Sequence, residues 1–144
     1  MRFECQTAKG SFVINCPQIS PLEYFLSGLL TCTASDIVMI PQNQGFEVRN
    51  LEVGGEAERG DGLPKKFAAL QIRYRFDSDA DDTTAARWVM ASLENYCTTV
   101  NSVRDGVKIT YTVVHNGRTV RDNEAIISGG GGDYDLGDIG GCPS

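Results

Sequence analysis

Histidine is almost missing from this sequence: His115 is the only one in 144 residues. The five cysteines, Cys5, Cys16, Cys32, Cys97 and Cys142, include no pair at CxxC spacing. A structural zinc site draws four Cys or His ligands from close pairs, so that class is excluded, and no metal or cofactor is expected. Lysine and arginine number 13 against 19 acidic residues, for a net charge of −6, and they form no cluster. Nucleic acid is therefore not an expected partner. The opening "MRFECQ" has no basic segment followed by an apolar run, so no secretory signal is read there. Unpaired thiols then point to a reducing compartment, and a cytoplasmic protein is expected.

Charge is missing locally as well. Within "ISPLEYFLSGLLTCTASDIVMI", residues 19–40, no charged residue separates Glu23 from Asp36, and a lone cysteine, Cys32, sits among apolar and small residues. The length suits a membrane span, but Ser27, Gly28, Thr31, Thr33, Ser35 and Asp36 make it a poor one, and Pro41 follows. A helix buried on most sides of a soluble protein fits better, and no membrane is expected. The chain length is that of a single domain.

Several local signals place the elements. "RFECQ" and "SFVIN" flank "TAKG" and read as a hairpin. Ser20-Pro21-Leu22-Glu23 starts a helix: serine caps, proline suits the first turn, and Glu23 completes a capping box. Pro41 should end that helix at about Ile40. "FEVRNLEV" and "GEAER" predict a long strand, bulged at Gly54-Gly55. In "LQIRYRF", Leu70, Ile72, Tyr74 and Phe76 alternate with polar residues, as on a strand with one wet face. A second helix is expected from about Thr83 to Val103, its buried stripe running Ala86, Met90, Leu93, Cys97, Val100. "VKITYTVV" is the last core strand, ended by Asn116-Gly117. Residues 128–144, with seven glycines in 17 positions, read as a disordered Gly/Asp-rich tail after a domain spanning 1–127. Helices and strands in separate blocks indicate an α+β layer fold. Two helices with broad apolar faces on so few strands also point to a homodimer.

Cys32 and Cys97 share a setting, each about two-thirds along a helix among small or apolar neighbours and 65 residues apart. Buried cysteine is commonly a small hydrophobe, so inert packing and a working thiol pair both fit this pattern. A disulfide would need their Cα atoms within roughly 4.4–6.8 Å. Cys5 and Cys16 could face one another across the hairpin, with free thiols the expected state.

Three segments carry a family likeness: "SPLEYFLSGLLTCTASDIVMI", "EAERGDGLPKKFAALQIRYRF" and "LENYCTTVNSVRDGVKITYTV". The proline-to-cysteine distance, the "TASD" after Cys32, the "YC" at Tyr96-Cys97 and the cysteine separation together resemble the OsmC/Ohr family of osmotically inducible and organic hydroperoxide resistance proteins. Over roughly residues 18–115 the chain most resembles a less characterised OsmC-like branch. The resemblance implies an intertwined homodimer, with two long central helices packed against curved, mainly antiparallel sheets. It implies a thiol peroxidase for organic hydroperoxides, with Cys32 peroxidatic and Cys97 resolving. Cys32 would pass through a sulfenic acid to a Cys32–Cys97 disulfide, and a dithiol such as a lipoyl protein would reduce it. Better-known branches activate the thiol with an arginine from N-terminal strands held by a helix-one glutamate. No such arginine-bearing strand is recognisable here, so Arg59 is the candidate cation. Glu23 is the candidate carboxylate, although the capping box also accounts for it. Tyr24, Phe25, Leu29, Trp88, Leu93 and Tyr96 are candidate walls of an apolar pocket, with core packing the other reading. The alternative function is a catalytically weak dimer of this fold that binds a ligand or senses redox state.

Overall fold

The computed structural model describes residues 1–127; the tail and Cys142 lie outside the described residues. Strands β1 (Arg2–Thr7) and β2 (Gly10–Asn15) form the hairpin, an antiparallel two-stranded sheet. Helix α1 (Pro21–Asn43) follows, then β3 (Arg49–Arg59) and β4 (Phe67–Asp77). Next come α2 (Asp82–Ala91), a π-helical turn at Ser92–Tyr96, and α3 (Thr98–Val103). Strands β5 (Lys108–His115) and β6 (Arg118–Ala125) complete an α+β fold. The main sheet has the order β3-β4-β5-β6, antiparallel except for the parallel β4–β5 pair.

Alternation along the strands decides which face is covered. Leu70, Ile72, Tyr74 and Phe76 of β4 stand beside Ile109, Tyr111, Val113 and His115 of β5, all buried under the helices. The other face carries Gln71, Arg73 and Arg75 on β4. Against the inner face lie Ile37 and Ile40 of α1 and Ala85, Trp88 and Val89 of α2, in one continuous core. The Trp88 indole N–H donates to Gln44 just past α1 at 2.8 Å, and its ring packs on Phe46 and Phe76. Trp88 and Leu93 are therefore wholly internal and line no pocket wall. Gly55 admits α1 closely: a Cβ there would sit 2.9 Å from Leu30 Cδ2.

Helix α1 starts as expected. The Ser20 hydroxyl accepts the Glu23 amide at 3.2 Å, and the Glu23 carboxylate accepts the Ser20 amide at 2.6 Å. Its end differs, because the helix continues through Pro41 to Asn43. Pro41 removes one helical hydrogen bond, the one its amide would have given to the Ile37 carbonyl, but the helix runs only two residues beyond it, and buried Pro41 offers its own carbonyl to the amides of Gln44 and Phe46, both at 2.9 Å.

Four other expectations need correction. Gly54 and Gly55 pair in register with Arg73 and Ile72, and the β3 irregularity falls between Arg49 and Glu52, where Asn50 adopts φ 53°. Asn116-Gly117, with φ of 50° and 78°, ends β5 as expected, but β5 is not the last strand: the pair turns the chain into β6, as a type I′ hairpin would. The expected second long helix is broken into α2, the π turn and α3, with Cys97 extended (φ −77°, ψ 103°) at the break. Cys5 pairs with Phe12, while the Cys16 amide bonds to the Met1 carbonyl, so those thiols do not face each other.

A buried polar chain joins α1 to β4 and to the π turn. Thr33 Oγ1 lies 2.7 Å from the Tyr74 hydroxyl and 2.8 Å from Ser92 Oγ, and Ser92 donates to Asp36 Oδ2 at 2.7 Å. Burial pushes the Asp36 carboxyl up from 3.8 to about 6, against the pull of the Ser92 hydrogen bond. Between those two values the native state holds a proton that the unfolded chain releases. Stability from this group is thus present below about pH 4 and is lost as pH rises to about 6. Asp36→Asn keeps an acceptor for Ser92 and removes the charge. Relative to the variant, the natural protein should lose about 3 kcal/mol of urea-denaturation stability across that window. Parallel pH profiles would contradict this assignment.

Candidate functional site

Cys32 lies on the buried side of α1, one residue before Thr33 of the polar chain. Cys97 follows the π turn, whose wide loop is closed by a 2.8 Å bond from the Cys97 amide to the Ser92 carbonyl. A regular helix continued through Tyr96 would carry the Cys97 side chain onward around the axis. The extra residue in the π turn and the extended backbone at Cys97 turn it toward α1 instead. The two thiols meet there in a side-chain hydrogen bond, both buried and both reduced.

The cysteines do not share their proton equally. Burial pushes the Cys97 thiol up from 9.0 to about 12. The Thr99 hydroxyl, 3.3 Å from Sγ, and the amide of Val100 act in the opposite direction, and the hydrogen bond and charge of Cys32 raise it again. Cys97 therefore keeps its hydrogen at neutral pH. A protonated Cys97 is a hydrogen donor available to the Cys32 sulfur.

The segment bearing Cys97 is gripped on both sides by one buried guanidinium. Arg104 donates to the Asn101 side-chain oxygen at 2.6 Å and to the Glu94 carbonyl at 3.3 Å, and it pairs with the Glu94 carboxylate at 2.9 Å. Asn101 returns two bonds to the Cys97 carbonyl, from its amide at 3.0 Å and its side chain at 2.9 Å. Glu94 and Arg104 also take the amide and carbonyl of Ile127, fastening the end of β6 to this segment. The charge of Arg104 is matched by Glu94, so it acts on Cys97 through geometry. Neither Arg104 nor Asn101 carries a sequence motif that singles it out. Their roles become visible only once the helix break folds residues 94, 101 and 104 together.

The two supporting candidates lie elsewhere. Glu23 is exposed, and its carboxylate, bonded to the Ser20 amide, is held well below the usual carboxylate range by that contact. Nine residues of helix, about 13 Å of axis, separate Glu23 from Cys32. Arg59 closes β3 opposite Phe67 and lines a surface groove with Leu22 and Phe25. A second hollow, lined by Tyr24, Phe25, Gly28 and Leu29 of α1 and by Thr98 and Thr99, shares Phe25 with that groove. Neither cysteine lines it; Thr99 on its wall touches Cys97 and donates to the Leu29 carbonyl at 3.3 Å, so the thiols lie behind that wall. Of the expected pocket walls, Tyr24, Phe25 and Leu29 thus line this hollow.

Among the described residues, no three His, Cys, Asp or Glu groups gather to hold a metal ion. His115 bonds to Ser78 Oγ through Nε2 and to Asp82 through Nδ1, both at 2.8 Å. That is the order of a nucleophile–base–acid triad. However, Ser78 is only 3% exposed and its oxygen also accepts the Ala80 amide, so the trio ties the ends of β4 and β5 to the start of α2.

Residues 15–112 match the family model described as OsmC-like protein. Protein YhfA of Escherichia coli strain K12 is 31% identical over 94 residues, covering 65% of this chain and 70% of that protein. Among solved structures, an OsmC-like protein from Mycoplasma pneumoniae superposes with a TM-score of 0.68 at 13% identity, over 78% of this chain and 86% of that one. The organic hydroperoxide resistance protein OhrB of Bacillus subtilis superposes at 0.53 with 16% identity, over 78% and 96%. At such identities the structural likenesses speak to the fold. The family match spans most of the folded part, including both buried cysteines and the helical segments that carry them. This chain belongs to the OsmC-like protein family.

Proposed function

We propose that the protein is a two-cysteine thiol peroxidase that reduces organic hydroperoxides, with Cys32 as nucleophile and Cys97 as resolving thiol. The contact between two buried sulfurs from distant parts of the chain carries this reading. The Cys32 thiolate attacks the distal peroxide oxygen. The O–O bond breaks, the leaving alkoxide takes a proton to become an alcohol, and Cys32 becomes a sulfenic acid. The Cys97 sulfur then displaces the sulfenic hydroxyl as water, forming the Cys32–Cys97 disulfide. An external dithiol, such as a protein-bound lipoyl group, returns both cysteines to the reduced state by exchange. Cys97, pushed up to about 12, suits the resolving role because it remains a hydrogen donor until Cys32 has reacted. The apolar lining of the hollow that Thr99 separates from the thiols favours hydroperoxides with a hydrocarbon body over hydrogen peroxide.

The same reading includes a homodimer. The hairpin forms a sheet of its own, with Phe3, Cys5, Phe12 and Ile14 along one face. Phe3 is 53% exposed and Phe12 46%. A lone two-stranded hairpin is marginal in water, so a second copy of the chain is the covering that this face calls for. The four cysteines among the described residues are in the thiol form, which fits a reducing cytoplasm. The rival is a dimer that senses redox state slowly, and the burial of both cysteines, which opposes a thiolate, favours it.

Several outcomes are expected. Reduced protein given one equivalent of cumene hydroperoxide should lose two hydrogens by intact mass, and Cys32→Ser should abolish this. Cys97→Ser should instead accumulate a sulfenic acid that dimedone traps. Unchanged mass with all thiols free would end the peroxidase reading. The pH dependence of Cys32 alkylation should show a midpoint below 8, whereas one above 9 would favour the slow sensor. Sedimentation should give the mass of two chains, reduced to one by combined Phe3→Glu and Phe12→Glu substitutions; a wild-type monomer would remove the dimer.

A further inference from the structure

Three cationic side chains gather at one end of the main sheet with no acidic partner among the described residues. Arg59, closing β3, and Lys65 and Lys66, just before β4, line a groove of about 340 Å³. No carboxylate lines it, and none of the three cations is ion-paired with a described residue. Arg75, by contrast, stands opposite Glu52 across the β3–β4 ladder. The apolar part of the groove is built on Leu22 and Phe25, which are 44% and 50% exposed, and on Phe67. Phe25 stacks on Phe67 with ring centroids 5.9 Å apart. Unmatched positive charge beside half-exposed apolar side chains, in a chain of net charge −6, calls for an occupant both acidic and apolar.

The chain itself carries such a segment. Beyond Arg121 it has no lysine or arginine, and residues 133–139 read Asp-Tyr-Asp-Leu-Gly-Asp-Ile, three carboxylates interleaved with three large side chains of apolar character. The folded part aims the chain at the groove. Strand β6 runs antiparallel to β5, and β5 parallel to β4, so the chain leaves β6 heading for the end of the sheet where β4 begins. The Ile126 amide bonds to the Ile109 carbonyl, and Ile109 stands beside Leu70. Two strand spacings, about 10 Å, therefore separate this exit from β4. Glu94 and Arg104 hold the Ile127 amide and carbonyl there. A second groove, lined by Arg104, Ile109 and Ile126, leads from the exit to Val107, which also lines the first. Between Ile127 and Asp133 lie one serine and four glycines, a reach of up to about 20 Å. That reach exceeds the distance to be covered.

We propose that residues 133–139 of the same chain occupy this groove, Asp133, Asp135 and Asp138 meeting Arg59, Lys65 and Lys66 while Tyr134 and Leu136 cover Leu22, Phe25 and Phe67. The occupant matches the charge that the folded part leaves open and takes apolar surface out of water. Each exposed ion pair contributes little alone. The tether makes up for this, because a segment on a short linker is present at an effective concentration on the order of millimolar. Neither cysteine lines the groove, so this contact stands apart from the peroxidase reading.

Zero-length carbodiimide coupling of the reduced, full-length protein tests the contact, since it joins a carboxylate to an amine only where the two already meet. The lysines are Lys9, Lys65, Lys66 and Lys108, so the possible products are few. Peptide mapping should find residues 133–139 joined to Lys65 or Lys66 in material of one-chain mass. The yield should exceed coupling to Lys9, in the hairpin turn, by at least about fivefold, and should fall as salt is raised. Tyr134→Ser combined with Leu136→Ser, which alters no described residue, should lower it at least about threefold. Coupling spread evenly over the four lysines, coupling confined to Lys108, or a yield indifferent to the double substitution would overturn the proposal. So would coupling found only between chains in a mixture of isotope-labelled and unlabelled protein, which would assign the groove to a second copy.

Discussion

A single interruption of helical geometry governs how this molecule is arranged. The segment after β4 begins as a well-capped helix, but at Ser92–Tyr96 it widens into a π turn, and Cys97 leaves the helical path before α3 resumes. That costs the segment regular hydrogen bonds, and a web of polar groups holds the broken shape. Ser92 is tied to Asp36 and Thr33 of α1, while Arg104 grips Glu94 and Asn101 on either side of Cys97. Buried polar contacts of this sort contribute little net stability when complete and cost a great deal when half-broken. They favour one particular geometry of the break over its neighbours, and in that geometry two sulfurs touch.

From that contact the chemical asymmetry follows. Two thiols in a dry site cannot both ionise, because each charge would be poorly solvated and would repel the other. The Cys97 thiol, pushed up to about 12, is the one that stays protonated. Cys32 is mounted on a continuous, capped helix, and Cys97 on a segment clamped by Asn101, Glu94 and Arg104, so both sulfurs are held in place.

Much of the frame was legible in the residues. The capping box at Ser20 and Glu23, the alternation along β4 and the hairpin at residues 2–15 are short-range patterns, and each appears where local chemistry put it. The break at Ser92–Cys97 was not legible, because Ala86, Met90, Leu93, Cys97 and Val100 keep a helical rhythm across it and the interruption is imposed by partners on α1. Strand β6 was hidden for another reason: "RTVRDNEA" is mostly polar, with Val120 its one large apolar residue, as suits an edge strand, and only its pairing with β5 reveals it. Pro41 was over-read as a terminator, since it removes one helical hydrogen bond and its own carbonyl is still met by Gln44 and Phe46. Of the site, the meeting of Cys32 and Cys97 could be anticipated from their spacing and motif context. The clamp of Asn101 and Arg104 required the tertiary structure.

The account rests on Cys32 and Cys97 lying within bonding reach in the folded, reduced protein. Substoichiometric diamide added to native protein, followed by alkylation and peptide mapping, tests this directly. The predicted first product is one intrachain disulfide joining the peptides of Cys32 and Cys97, formed while Cys5 and Cys16 remain alkylatable. Disulfides that first engage Cys5 or Cys16, or that link chains at random, would contradict it.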